Sequence, residues 1–341
     1  MSGVSKKPAD VAVIGGGSYG TCLAIAFGKS GHNVCLYNRN PESTARMQAE
    51  RENAAYLPGH KFPDTVTVSS DLESSLRHKR FVLGVTPSHG IRDVFARAHD
   101  WMDPDAIVIN ASKGLEDGTL QTIDRVYADI LPERIAKRAT YLSGPTFASE
   151  LAAGFPAAVV LAGSDPETTA AAQETLSDIN LRIYSTDDVA GVLLGGALKN
   201  VIAIGAGISD GLGFGANTRI MLITRGLAEM IRIGVAMGAH AQTFAGLSGM
   251  GDLVLTCSGD SSRNRRVGLA LGQGKKMPDI LAEMRQVAEG VKTTRVAKQL
   301  TDKMGIDAPI TNAMYAIIHE GVPVRDAIAK LLGRPARSER E

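Results

Sequence analysis

A chain of 341 residues, 44% hydrophobic and 21% charged, has enough length for two domains and a sizeable core, with the balance of an ordinary globular enzyme. Its formal net charge of +1 excludes the basic excess on which non-specific binding to nucleic acid or to an anionic membrane depends. Three cysteines, Cys22, Cys35 and Cys257, lie far apart with no paired spacing, which argues against a disulfide framework or zinc site and for a reducing compartment.

Met1 to Asp10 has no apolar core of the signal-peptide kind. Val11–Ile14 then reads as a strand, Thr21–Ser30 as a helix and Asn33–Tyr37 as a second strand. Phe81–Val85, Ile107–Ala111, Thr140–Ser143, Ala157–Ala162 and Leu181–Ser185 are further strands, with helical patterns at Ile91–Ala98, Leu120–Leu131 and Glu167–Leu176. Strands separated by helices indicate βαβ units and a mostly parallel sheet. From Asp187 onward the alternation stops. Val189–Ile208, Arg219–Met237, Arg263–Leu271, Ile280–Met284, Thr293–Met304, Asn312–Glu320 and Val324–Leu332 all read as helices, punctuated by Gly238, Pro278, Asp279, Gly305, Pro309, Gly321 and Pro323. The expected organisation is an α/β domain over residues 1–187 and an all-α domain over 188–341.

Gly15-Gly16-Gly17-Ser18-Tyr19-Gly20 places G-x-G-x-x-G between the first strand and the first helix. In that setting Gly15 allows a tight turn, Gly17 lets backbone approach a pyrophosphate and Gly20 permits close helix–strand packing. A helix beginning near Ser18 would offer its N–H groups to the anion. The first domain is therefore expected to be a Rossmann-type dinucleotide-binding domain. After the second strand comes Leu36-Tyr37-Asn38-Arg39-Asn40-Pro41, with no acidic residue until Glu42. An acid there would accept the ribose hydroxyls of NAD, whereas Arg39 suits a 2′-phosphate. NADP is the expected cofactor, with NAD as the alternative.

Lys199 is the charged anomaly of the second half. It lies in Val189–Ile208, which is otherwise apolar or glycine apart from Asn200. The stretch is long enough to span a bilayer, but its central Lys-Asn pair and the lack of a second span argue against stable membrane insertion. A buried ammonium must pair or lose its proton, and a lysine that deprotonates near neutrality suits acid–base chemistry at a carbonyl. Ser112-Lys113-Gly114, Ser143-Gly144-Pro145-Thr146-Phe147-Ala148 and Val85-Thr86-Pro87-Ser88 each follow a strand, so they should converge at the carboxyl ends where such sheets bind ligands. Ser262-Arg263-Asn264 resembles a capped helix start, and an arginine in a first turn calls for an anionic partner, so this is a candidate phosphate site. Arg265 and Arg266 read as solvent-facing. Asp252 either pairs with Lys199 or caps the helix that follows.

Together with Asn53-x-x-Tyr56-Leu57-Pro58-Gly59, Gly144-Pro145-Thr146-Phe147-Ala148-x-Glu150, Ala197-Leu198-Lys199-Asn200, Gly249-x-Gly251-Asp252-Leu253 and Glu289-Gly290, these motifs occur in one order and carry a resemblance that covers about residues 10 to 333. The chain resembles the soluble NAD(P)-dependent glycerol-3-phosphate dehydrogenases. The resemblance implies reversible hydride transfer between NAD(P)H and C2 of dihydroxyacetone phosphate, giving sn-glycerol 3-phosphate for glycerophospholipid synthesis in the cytoplasm. It makes Lys199 the proton donor and acceptor, and Lys113, Gly144, Thr146, Asp252, Ser262, Arg263 and Asn264 substrate contacts. Ser18, Tyr19, Arg39, Lys113, Ala148, Arg263, Val287 and Glu289 become nucleotide contacts. Tyr19 stands where Trp or Phe is usual in that family, and Thr146 where Ser is usual.

On this reading Lys199 stabilises the charge developing on the C2 oxygen. Asn200, about 100° round the helix, would hydrogen-bond the substrate or the nicotinamide amide. No metal is expected, and His32, His60, His78, His89, His99, His240 and His319 are scattered. The competing enzyme reading is a two-domain reductase of a β-hydroxyacid or of ketopantoate, which would have no use for the Ser262-Arg263-Asn264 group. A cofactor-binding sensor without turnover would not need Lys199. Long apolar helices in the second half point to a homodimer.

Overall fold

The structure is a computed structural model that describes residues 7–284, 288–335 and 338. Val287 lies outside the described residues. The sheet contains β1 (Asp10–Ile14), β2 (Asn33–Tyr37), β3 (Val66–Ser69), β4 (Phe81–Gly84), β5 (Ile107–Asn110), β6 (Thr140–Ser143), β7 (Ala157–Gly163) and β8 (Leu181–Thr186). Their order is β3-β2-β1-β4-β5-β6-β7-β8, and every neighbouring pair is parallel except β6 with β7. This is the Rossmann-type arrangement, with its switch point between β1 and β4. The antiparallel step follows from the short link before β7. That link holds one helix, Ala148–Ala153, which Gly154 ends in a left-handed conformation, and six helical residues are too few to carry the chain back along the sheet.

Alternation along β1 separates two cores. Val11 and Val13 join Leu23, Phe27 and Leu36 on one face of the sheet, and Ala12 and Ile14 join Phe95 and Tyr127 on the other. The strand readings are recovered, but β3 is an addition. It is a four-residue edge strand that buries only Val66 and Val68, so its signal is short. The helices Pro41–Glu50, Leu72–Leu76, Ala148–Ala153 and Asp252–Ser258 are also additions. The helix expected over Leu120–Leu131 is confined to Ile123–Ile130, because Leu120 has a φ of 61°. Pro278 and Pro309 belong to the first turns of Met277–Glu283 and Pro309–His319 rather than separating helices, a position where proline's missing N–H costs nothing.

After β8 the described chain is helical. The helix Val189–Gly211 is its axis and is buried from Gly191 to Ser209. Asp188 caps it by accepting from Gly191 N at 2.9 Å, and also accepts from His240 N at 2.9 Å. The helices Ala216–Ala236, Asp252–Ser258, Arg263–Gly272 and Glu289–Met304 pack around it. Its apolar surface, long enough to cross a membrane, is covered by protein over 89% of its most hydrophobic window.

Candidate active site

The glycine-rich turn is shaped by close approach. Gly15 has a φ of 128°, and a Cβ there would lie 2.6 Å from the Val85 carbonyl oxygen. A Cβ on Gly20 would collide with the Gly15 carbonyl, so the helix Ser18–Lys29 packs directly on the turn. At Gly17 the same test meets nothing within 4 Å. Backbone at the helix N-terminus thus borders open space, which is what an incoming pyrophosphate requires.

Asn53 holds this turn from behind. It is 1% exposed and its amide donates to Gly16 O at 2.9 Å and Thr21 Oγ1 at 2.8 Å. Ser18 Oγ donates to Tyr56 O at 2.7 Å. Sequence reasoning singled out the Asn53–Gly59 run only through the family resemblance, because a buried asparagine clamp has no periodic signal. At the end of β2, Asn38 faces Gly16 and Arg39 is exposed. Asn40 caps Pro41–Glu50 by accepting from Ser43 N at 2.7 Å.

The loops after β4, β5 and β6 meet beside this turn. Ser112 Oγ donates to Gly84 O at 3.3 Å and to Thr86 O, tying two of them together. Lys113 reaches from the β5 loop to donate to Gly144 O at 3.1 Å and to Asp252 Oδ2 at 2.6 Å. Its ammonium lies 6.0 Å from the centre of the Tyr19 ring. Thr146 Oγ1 donates to the Tyr19 hydroxyl at 3.2 Å.

From the helical side, Lys199 Nζ donates to Asp252 Oδ1 and Thr256 Oγ1, both at 2.6 Å. Asp252 and Thr256 share a face of their helix by i, i+4 spacing, which is the signal that would have found Thr256. Lys199 is 6% exposed and Asp252 1% exposed. One buried carboxylate therefore lies between two ammonium groups, one from each domain. Of the two roles open to Asp252, pairing is the one observed. Burial lowers Lys199 from its ordinary lysine value to about 8, against the opposing pull of Asp252, and the nearby Lys113 charge lowers it further. Burial works to raise Asp252, yet the Lys113 and Lys199 charges hold it below the usual carboxylate range.

A second buried network adjoins the first. Asn264 Nδ2 donates to Asn200 Oδ1 at 2.8 Å, and Asn264 Oδ1 accepts from Gly290 N at 2.9 Å. Asn200 and Asn264 thus hold each other and the start of Glu289–Met304. Ser262 is the N-cap of Arg263–Gly272, accepting from Arg265 N at 3.2 Å. Arg263 sits in that first turn, lowered by burial and raised by the neighbouring Glu289 carboxylate. Glu289 in turn accepts from Ser88 Oγ at 2.7 Å and Ser88 N at 3.3 Å, joining the helical domain to the β4 loop. Ala148 opens its helix one residue beyond Phe147. Arg265 is not solvent-facing as expected. It is half-buried and pairs with Asp210 at 2.7 Å and Asp260 at 2.8 Å, while Arg266 is exposed.

The structure thus gathers Tyr19, Lys113, Gly144, Thr146, Lys199 and Asp252 into one cluster, with the Asn200–Asn264 and Arg263–Glu289 groups beside it. Arg39 stands apart, at the end of β2.

Residues 10–169 match the N-terminal part of the NAD-dependent glycerol-3-phosphate dehydrogenase family and residues 188–329 its C-terminal part. A glycerol-3-phosphate dehydrogenase [NAD(P)+] from Geobacter sulfurreducens is 48% identical over 330 residues, covering 97% of this chain and 98% of the relative. The crystal structure of glycerol-3-phosphate dehydrogenase from Coxiella burnetii superposes with a TM-score of 0.91 at 37% identity, covering 96% of this chain and 99% of that one. A ketopantoate reductase structure from Ralstonia eutropha shares the fold alone, with a TM-score of 0.57 at 16% identity over 95% of this chain and 99% of that one. The chain belongs to the NAD-dependent glycerol-3-phosphate dehydrogenase family.

Proposed function

We propose that the protein interconverts dihydroxyacetone phosphate and sn-glycerol 3-phosphate, using NAD(P). The observation that carries this reading is the buried Asp252 carboxylate shared by Lys199 and Lys113, set beside a glycine turn that fits a dinucleotide. The fit is local: a backbone contact enforced at Gly15, open space at Gly17 and a helix N-terminus directly after them. When bound, the nicotinamide supplies or accepts the hydride at C2.

The chain's own residues then do the rest. As an ammonium, Lys199 donates toward the C2 oxygen, stabilises the charge forming there and gives up its proton; as an amine it takes the proton back in the oxidative direction. Asp252 aims that amine and keeps enough positive charge on it for the donor role. Lys113 adds a second cation on the same side of the site. Ser262, Arg263 and Asn264, at the start of one helix, support a phosphate anchor, which lets binding energy at the distal end position C2. Asn200, held by Asn264, completes that wall. Ala148, Glu289 and Val287 belong to the nucleotide side by resemblance.

NADP preference is supported by exposed Arg39 and by the absence of an acid between the end of β2 and Glu42. A cytoplasmic role in supplying the glycerophospholipid backbone accords with the family and with three free, buried cysteines. Exposed Ile220, Met221 and Val235 on Ala216–Ala236 support a homodimer joined through the helical half. Light scattering that gives a monomer mass would remove the dimer. The domains are taken as residues 1–187 and 188–341.

The direct test follows NADPH absorbance in the presence of dihydroxyacetone phosphate. Oxidation is expected, and its absence, or oxidation with ketopantoate instead, would overturn the proposal.

A further inference from the structure

The Tyr19 hydroxyl belongs to no step above. A ring alone at that position would cover the glycine turn and face the Lys113 ammonium. The hydroxyl adds a polar atom on a half-buried side chain, and it has one hydrogen-bond partner among the described residues, Thr146 Oγ1 at 3.2 Å. Burial pushes the phenol well above its ordinary range, so it stays protonated at neutral pH. Two hydroxyls carry two protons, and their mutual bond uses one of them. Thr146 also lies 3.4 Å from Gly144 O, the carbonyl that accepts from Lys113.

These contacts form a chain. Tyr19 is the second residue of the helix that starts at the nucleotide turn. Thr146 sits in the loop after β6, between Gly144 and the helix Ala148–Ala153. Lys113 touches both ends, through its hydrogen bond to Gly144 O and its position over the Tyr19 ring. A displaced Thr146 would shift the loop that carries Gly144 O, one of the two oxygen anchors of Lys113.

We infer that the Tyr19 hydroxyl is a positioning group for the substrate: by holding Thr146 it fixes the Gly144–Thr146 loop and the Lys113 ammonium, coupling the nucleotide turn to the substrate side. The inference rests on the dehydrogenase reading for its substrate, and on geometry alone for the coupling.

The test is a double-mutant cycle with Tyr19→Phe and Thr146→Val, adding Thr146→Ser as the variant that keeps the hydroxyl. Three readouts apply: NADPH affinity by fluorescence, thermal unfolding of the protein without ligands, and KM for dihydroxyacetone phosphate at saturating NADPH. Tyr19→Phe and Thr146→Val are each expected to raise KM about three- to tenfold, the range of one hydrogen bond, with the loss falling on KM more than on kcat. NADPH affinity should move less than twofold. The double variant should be no worse than either single one, in KM and in unfolding midpoint, and Thr146→Ser should restore KM. Additive losses, or a NADPH defect in Tyr19→Phe as large as the KM defect, would overturn the coupling. Wild-type protein inert toward dihydroxyacetone phosphate would instead sink the dehydrogenase reading, while the unfolding cycle would still decide whether the two hydroxyls interact.

Discussion

At the scale of single residues, the site is governed by one carboxylate between two lysines. Lys199, lowered to about 8 by burial, changes charge within the range where the enzyme can be assayed. The reductive direction needs the ammonium, so its rate should fall as pH rises through about 8. The oxidative direction needs the amine and should rise over the same interval. Asp252 raises Lys199, so Asp252→Asn should shift the oxidative limb to lower pH, with Lys113 pushing the same way. A pH–rate profile in both directions checks this, and an unmoved oxidative limb in the variant would separate Asp252 from the titration. Lys199→Met should lower kcat by roughly 10²–10⁴, the range for a lost general acid–base, while NADPH binding by fluorescence stays measurable. Arg39→Glu should weaken NADPH far more than NADH, which parallel KM measurements would show; equal weakening of both would remove the 2′-phosphate role. Lys199 was legible in the sequence because a charge inside an apolar run has few explanations. Asp252 was legible only as one of two alternatives, pairing or capping, because the fold brings it to Lys199 across 53 residues and no local pattern records that distance.

At the scale of elements, the helix Arg263–Gly272 is held against the lysine helix by glycines that let backbone meet backbone. Gly211 of Val189–Gly211 meets Gly272 of Arg263–Gly272, Gly207 lies against the backbone of Arg265 and Leu269, and a Cβ on Gly268 would collide with the Ile204 carbonyl oxygen. That close crossing lets Asn264 reach Asn200 at 2.8 Å and brings Arg263 to the same wall as Lys199. For Gly268→Ala, helix propensity gains about 1 kcal/mol, whereas overpacking against rigid backbone costs about 1–3 kcal/mol. The steric cost is expected to win, because a carbonyl in a helix cannot swing aside as a side-chain tip can. Urea unfolding should show net destabilisation, and KM for dihydroxyacetone phosphate should rise more than that for NADPH. Unchanged stability would mean that the crossing has slack. The helices themselves were readable from apolar periodicity, and their exact starts were not. Pro278 and Pro309 read as breaks when they open helices, and Arg265 read as solvated because its partner Asp210 lies on another helix.

At the scale of the whole molecule, the two halves meet through polar contacts that cross the cleft. Lys113 from the sheet domain pairs with Asp252 from the helical one, and Ser88 from the β4 loop donates to Glu289 at the start of Glu289–Met304. Alternating strands and helices followed by helices alone made this division legible in the sequence, as the glycine turn did the nucleotide end. The antiparallel β7 and the contacts across the cleft were hidden, since both depend on which distant segments meet. The Ser88–Glu289 contact has a consequence for how the halves move. Glu289 also attracts the Arg263 guanidinium through its charge, so its carboxylate acts on both the β4 loop and the start of the helix Arg263–Gly272. Glu289→Ala should remove the Ser88 hydrogen bonds and the attraction to Arg263, freeing the Ser88 loop while leaving the Lys113–Asp252 pair in place. Amide exchange of the protein without ligands should then accelerate at residues 88–91 as well as at 288–292. NADPH should restore less protection to residues 88–91 than it does in the wild type. Acceleration confined to 288–292 would show that Glu289 only starts its own helix and does not hold the halves together.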